Sequence, residues 1–323
     1  MAEATSAASR AQSPARGATA AEFTASPAIY LSQLSKRYGR TVAVRQLTMT
    51  VPRGEVFGFL GPNGAGKTTV VKLLLGLARP TSGDGLLLGA PLGSLDARRQ
   101  VGYLPELFRY QSWLTAREVL ALHCRLARLE RSQWPGAISA ALATVGLSGR
   151  GDDRVSGFSK GMQQRLGLGV ALLGDPQLVL LDEPTSALDP VGRHDVREIV
   201  RGLRARGVTV FLNSHLLSEV EQVCDRVAVV DHGQVVASGR LEELLGRPGV
   251  RVRCTGLSAA ARERLGGFGA ISFDEGELTV SGIGPEMVPQ LIQAIVEAGG
   301  SVYAVDPGQQ TLEERFLQLI EAG

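Results

Sequence analysis

Nine consecutive residues, GPNGAGKTT from Gly61 to Thr69, have the types and spacing needed to hold a polyphosphate. Gly61, Gly66, Lys67 and Thr68 fill the four fixed positions of G-x-x-x-x-G-K-[ST]. The glycines let the loop, with Asn63, Gly64 and Ala65 inside it, turn its backbone N–H groups toward an anion. The helix that follows points its positive end at the same charge. Lys67 adds a full positive charge at the terminal phosphates, and the Thr68 hydroxyl, beside Thr69, is a ligand for Mg²⁺. A second constellation ends the apolar run Gln177 to Pro184. It reads as a strand buried on both faces, which delivers Asp182 and Glu183 at its carboxyl end, where α/β sheets bind ligands. Asp182 then coordinates Mg²⁺ through water, and Glu183 polarises a water against the γ-phosphate. Each signal has a plainer reading: a chance match among 40 glycines, or a solvated strand end. Their co-occurrence favours the chemical one.

Three further groups fall beside the same chemistry. His215 follows the apolar strand Val208 to Leu212; a lone histidine is more often structural, but a strand's carboxyl end next to a phosphate site favours a role. Tyr38 either stacks on an adenine face, worth ~1 to 3 kcal/mol, or packs beside the sheet. In VSGFSKGMQQR, Ser159 caps a helix whose free N–H groups, Lys160 to Met162, seek an anion. A capped helix start is common; Gly161 and the pair Gln163 and Gln164 add the functional reading. His232 falls in a tight turn, and His123 and His194 have no evident partner.

The elements that must position these residues follow from periodicity and turn chemistry. Glu55 to Leu60 reads as a strand and Val70 to Leu77 as a helix, giving the strand, glycine turn and helix that a phosphate loop requires. Strands are expected at Ile29 to Leu31 and Thr48 to Val51, flanking Leu34 to Gly39, and at Val101 to Glu106, ended by Pro105. From Thr115 to Leu147 the period is helical, with Thr115 as cap and Glu118 three residues on. This predicts an inserted helical subdomain over about 107–173. Val227 to Val230 and Val235 to Ala237 form a hairpin. Beyond Gly246, strands at 250–254, 271–273, 278–280 and 302–305 alternate with helices at 258–265 and 287–298, a ferredoxin-like β-α-β-β-α-β order, closed by a helix at 311–319.

Composition narrows the classes. The chain has 323 residues, 44% of them hydrophobic, as a core-forming protein does. Lys plus Arg (34) nearly balances Asp plus Glu (32), so no electrostatic case exists for nucleic acid as a partner. Cys124, Cys224 and Cys254 lack C-x-x-C spacing, which argues against a disulfide framework or zinc site and points to a reducing, cytoplasmic compartment. No apolar run approaches the ~18 to 20 residues that span a bilayer, so a membrane role must act through a partner. Residues 1–27, rich in Ala, Ser and Thr, are expected to be a disordered tail. They lack the apolar stretch of a signal peptide and fit a transit peptide less well than a plain floppy terminus.

Over Ile29 to about Leu245 the ordered motifs resemble the nucleotide-binding subunits of ABC transporters. That resemblance implies an α/β fold: a P-loop NTPase core with an antiparallel β subdomain and an inserted helical subdomain. Its span would be 28–245, with 246–323 as a small C-terminal α+β (ferredoxin-like) accessory domain. It implies Tyr38 as the adenine-stacking aromatic, GPNGAGKTT as the Walker A loop and LVLLDEP as the Walker B strand, with Glu183 catalytic and Asp182 and Thr68 at the metal. Ser186 to Asp189 looks like the D-loop, contributing Asp189, and His215 like the switch histidine. FSKGMQQR stands at the signature position, keeping Ser159, Gly161 and Gln163 while Lys160 replaces a glycine. Glu106 stands where most members carry a glutamine, and is implied in catalysis and Mg²⁺ binding. GYLPE with SKGMQQR resembles the ABC-2-type exporter branch. The family likeness implies ATP and Mg²⁺, a head-to-tail pair of copies sharing two sites, and a separate transmembrane permease at the cytoplasmic face of the membrane. A soluble ABC-type ATPase or a nucleotide-dependent regulatory scaffold is the alternative.

Overall fold

Five of the six strands in the central sheet run parallel, because their sequences are apolar on both faces. The computed structural model describes residues 26–186, 188–245, 249–274, 276–306 and 312–321. The expected tail lies outside them except for Ser26 and Pro27. In spatial order the sheet contains Gln234–Arg240, Arg226–Asp231, Val56–Leu60, Thr209–Ser214, Leu178–Asp182 and Val101–Leu104. Only Gln234–Arg240 pairs antiparallel. Every residue of Val56–Leu60, Leu178–Asp182 and Thr209–Ser214 is buried, as parallel strands covered on both sides must be. Phe211 stacks on Phe57 at 5.9 Å and meets Phe59 at 5.3 Å on one face.

That face is closed by a second, antiparallel sheet in the order Thr41–Val51, Ile29–Tyr38, Ser82–Leu87, Ala90–Pro91. Leu31, Val44, Phe57, Val70, Leu73 and Phe211 share its core. The segment around Leu34 to Gly39, expected between two short strands, instead continues one strand from Ile29 to Tyr38. Register shifts near Leu31 and Leu34, with Gln33 (φ 50°) and Gln46 (φ 45°) in the left-handed region, bend it rather than end it.

On the opposite face sits the helical insert. Its long periodic stretch is two helices, Ala116–Leu126 and Trp134–Thr144, followed by Lys160–Ala171. Thr115 and Glu118 close the expected capping box: the Thr115 N–H donates to Glu118 Oε2 at 2.8 Å, and the Glu118 N–H to Thr115 Oγ1 at 3.2 Å. Leu120, Leu142 and Leu166 pack with Leu181 and Leu212 of the sheet. The helix after the phosphate loop runs Lys67–Leu74, earlier than periodicity predicts, because Gly76 (φ 65°) takes the left-handed position that terminates it.

A third sheet, antiparallel throughout, has the order Ala270–Asp274, Glu277–Ser281, Gly249–Thr255, Ser301–Asp306. Helices Ala259–Leu265 and Val288–Glu297 interleave with its strands, and Val252, Val280, Leu291 and Ile295 join a core of its own. This is the β-α-β-β-α-β order. The final helix, Leu312–Glu321, returns to the central core, where Leu312 is buried.

Candidate functional site

Strand register assembles the site. Leu60 pairs with Ser214, and Asp182 pairs with Asn213 on the next strand. The chain therefore leaves three neighbouring strands at one sheet edge, at Gly61, Glu183 and His215.

Gly61 and Gly66 pack against neighbouring backbone with no room for a side chain. A Cβ on Gly61 would lie 2.2 Å from the Val230 carbonyl oxygen, and one on Gly66, whose φ is 98°, would lie 2.2 Å from the Ala43 carbonyl oxygen. The loop is braced by the hairpin turn His232-Gly233, whose φ values of 45° and 80° suit a type I′ turn. The Gly233 N–H donates to the Ala65 carbonyl at 3.0 Å. His232 is thus a turn residue, as its sequence setting predicts. Asn63, Gly64 and Thr68 are exposed, Thr69 is half-buried, and Ala65 and Lys67 are buried. Lys67 Nζ donates to the Gly61 carbonyl at 2.7 Å and to that of Pro62 at 3.3 Å. Burial holds its ammonium below the usual 10.5, while Glu183, Asp182 and Glu106 pull it back up.

Asp182 is 2% exposed and accepts a hydrogen bond from Asn213 Nδ2. Burial raises its carboxyl above the usual 3.8; the Asn213 bond opposes the rise, and the charges of Glu106 and Glu183 add to it. Asn213 Oδ1, beside it, is buried with no hydrogen-bond partner. Sequence reasoning gives Asn213 no role; only the pairing of the two strands reveals that it orients Asp182. Among the described residues no group of three His, Cys, Asp or Glu side chains forms a metal cage. The donors at this edge, Asp182, Thr68, Asn213 Oδ1 and nearby Glu106, are hard oxygens. Mg²⁺ is ordinarily held by one or two carboxylates with phosphate and water supplying the rest, and this donor set fits it.

Glu183 is buried in a left-handed conformation (φ 51°) that a non-glycine residue adopts only under constraint. Its N–H donates to the Asn213 carbonyl at 2.9 Å, and its carbonyl accepts from Ser186 Oγ at 3.2 Å. The carboxylate Oε2 lies 2.8 Å from Nδ1 of His215, whose side chain is 45% exposed. The arrangement can accept a proton from a water and hold the acceptor in place.

Glu106 is exposed, two residues past the strand Val101–Leu104. Its charge acts on Lys67, on Asp182 and on Tyr103, whose phenol is pushed up to about 12 by burial first, then by Asp182 and Glu106. Tyr38 ends its strand 48% exposed, with Lys36 Nζ 4.8 Å from the ring centroid.

A second set of residues lies on the elements of the insert and the chain beyond Glu183. Ser159 caps the helix Lys160–Ala171 by accepting from the Met162 N–H at 3.2 Å, so one of the three N–H groups expected to be free is taken. Lys160 is exposed, and Gly161 has room for a Cβ. Gln163 Nε2 donates to the Phe158 carbonyl at 3.2 Å, and Gln164 Nε2 to the Pro184 carbonyl at 2.9 Å. Asp189 caps Pro190–Ala205 by accepting from the Gly192 N–H at 2.8 Å; Ala187 before it lies outside the described residues. Among the described residues no hydrogen bond joins Ser159, Gly161, Gln163 or Asp189 to the phosphate loop. His123 meets Tyr110 edge-on at 5.8 Å, and burial holds its imidazole below the usual 6.5, which makes it a packing residue.

Comparison with known proteins bears on the same stretch. The profile described as ABC transporter matches residues 44–186. An uncharacterised ABC transporter ATP-binding protein of Nostoc sp. is 49% identical over 209 residues, 64% of this chain and 62% of that protein. The Nod factor export ATP-binding protein I of Sinorhizobium fredii is 43% identical over 220 residues, 68% of this chain and 64% of that protein. The chain thus spans under two thirds of each of those two. The uncharacterised ABC transporter ATP-binding protein YxlF of Bacillus subtilis is 35% identical over 301 residues, 90% of this chain and 99% of that protein. A solved structure, described as the ATP binding subunit of an ABC transporter, superposes with a TM-score of 0.61 at 32% identity, covering 67% of this chain and 91% of its own.

Proposed function

The chain belongs to the family of ABC transporter ATP-binding proteins, and on that footing we propose that it binds and hydrolyses ATP to drive an exporter whose membrane path is a separate permease subunit. The observation that supports this most is the convergence of Lys67, Asp182, Glu183 and His215 on one sheet edge. In this reading Tyr38 stacks on the adenine, while Gly61 to Gly66 and Lys67 wrap the phosphates. Thr68, Asp182 and Glu106 hold Mg²⁺, which neutralises charge on the transferring phosphoryl group when bound. Glu183 takes the proton of the attacking water, and His215 keeps Glu183 oriented toward the γ-phosphate.

Among the described residues, Ser159, Gly161, Gln163 and Asp189 make no hydrogen bond to the phosphate loop of their own chain. We assign them to the site of a second copy, arranged head to tail about a two-fold axis so that each nucleotide is held by both. ATP then joins the two copies and hydrolysis releases them; the segment at Glu106 passes the movement to the permease at the cytoplasmic face of the membrane. Among the described residues no helix is long and apolar enough to cross a membrane. The exporter assignment leans on the similarity to the Nod factor export protein.

The test uses the fact that Cys124, Cys224 and Cys254 are all buried. A chain carrying Asn63→Cys, Ser159→Cys and Glu183→Gln is expected to form an inter-chain disulfide under mild oxidation with ATP and Mg²⁺, and not with either omitted. Absence of the cross-link at saturating ATP sinks the head-to-tail assignment.

A further inference from the structure

The helix Leu217–Val223 begins two residues after His215, and it is gripped on two sides. Toward the core, Glu219, 6% exposed, pairs with Arg197 of the helix Pro190–Ala205 at 2.8 Å. A buried pair of this kind is directional and leaves little freedom to slide. On the other side stands the C-terminal helix Leu312–Glu321. Leu312, 1% exposed, packs into the cluster holding Val220, Val223, Leu241 and Leu245, and Phe316 leans on the same cluster. The Leu312 N–H donates to Glu221 Oε2 at 3.3 Å, so a side chain of the helix behind His215 satisfies the start of the C-terminal one.

We propose that Leu312 and Phe316 are positioning residues for hydrolysis: by clamping Leu217–Val223 they hold His215 against Glu183. The clamp rests on the reading in which His215 orients Glu183 for hydrolysis. Nothing in this contact touches the phosphate loop, so the clamp acts on turnover and not on nucleotide binding. The sequence beyond Asp306 then has a reason to return to the ATPase core. A group that must be held to within about 0.5 Å is sensitive to slack in what stands behind it.

The test compares full-length variants for kcat, KM, affinity for a fluorescent ATP analogue, and Tm. Leu312→Asp and Phe316→Ala are expected to lower kcat roughly tenfold while affinity stays within about twofold, because a small misplacement far from the chemistry is costly. Leu312→Met should restore kcat, and Leu317→Asp, on the exposed side of the same helix, should behave as the parent. If Leu312→Asp fails to fold, Phe316→Ala decides. Unchanged kcat in the folded variants, or a fall in kcat matched by lost affinity, overturns the clamp. His215→Ala separates the two ideas: if it hydrolyses ATP normally, the functional reading fails, whereas if it is inactive and Phe316→Ala is normal, only the clamp fails.

Discussion

His215 Nδ1 stands 2.8 Å from Glu183 Oε2, an exposed imidazole beside a buried carboxylate on a residue held at positive φ. The Asn213 carbonyl anchors the Glu183 backbone by accepting its N–H at 2.9 Å, and the helix Leu217–Val223 begins two residues after His215. On the proposed reading, replacing Glu183 by Gln keeps the shape and removes the base. Phosphate release is expected to fall by roughly 10² to 10⁴, the usual worth of general base catalysis, with ATP affinity retained. Steady-state turnover beside equilibrium titration checks this, and brisk hydrolysis by the Gln variant reassigns the base.

Gly64 and Gly66 both have positive φ, 86° and 98°, yet only Gly66 is walled in, by the Ala43 carbonyl. Alanine at Gly64 meets nothing within 4 Å, so it bears backbone strain alone, about 1 to 2 kcal/mol. Alanine at Gly66 adds a collision that must displace a strand. Urea denaturation should rank Gly66→Ala well below Gly64→Ala, and only the former should abolish ATP binding. Equal stabilities would mean the loop relaxes away from Ala43.

Asp182 carries a pH signature. Its carboxyl is raised in the folded chain, chiefly by burial, so from 3.8 upward the unfolded chain gives up its proton first. The folded state then holds more protons, and stability falls as pH rises through that window until the folded carboxyl also ionises. Asp182→Asn removes this falling limb. Without nucleotide or Mg²⁺ it should be more stable near neutrality by ~0.5 to 2 kcal/mol, the typical cost of a functional site. Thermal melts across pH in a chelating buffer measure it; a variant that keeps the parent's slope shows that some group other than Asp182 sets the falling limb.

Legibility followed the range of the physics involved. Periodicity and turn chemistry act over a few residues, so the strand into Gly61, the Asp182 strand, the Thr115 capping box and the Asp231 hairpin were readable from the residues alone. The Ile29–Tyr38 strand was not, because its bulges interrupt the alternation without ending the pairing. The contacts made by Asn213 and Gln164 are invisible in the sequence for a different reason. Their partners, Asp182 and Pro184, lie 31 and 20 residues away and meet them only through parallel register and helix packing. The return of Leu312 to the core, 91 residues from Glu221, is likewise a tertiary event that no local pattern encodes.

Glu106 offers the sharpest check on the metal assignment. Its charge already raises the carboxyl of Asp182 and opposes the lowering of Lys67. Glu106→Gln removes a like charge from Asp182 and a hard donor from any Mg²⁺ nearby, two effects of opposite consequence. Asp182 then ionises more readily, which narrows the window in which stability declines with pH. The second effect should dominate the metal dependence: because Glu106 is exposed and screened, the Mg²⁺ concentration for half-maximal hydrolysis is expected to rise by roughly three- to fivefold and not more. Titrating Mg²⁺ at saturating ATP reads this directly. An unchanged requirement would mean that Glu106 takes no part in holding the metal, which would then fall to Asp182 and Thr68.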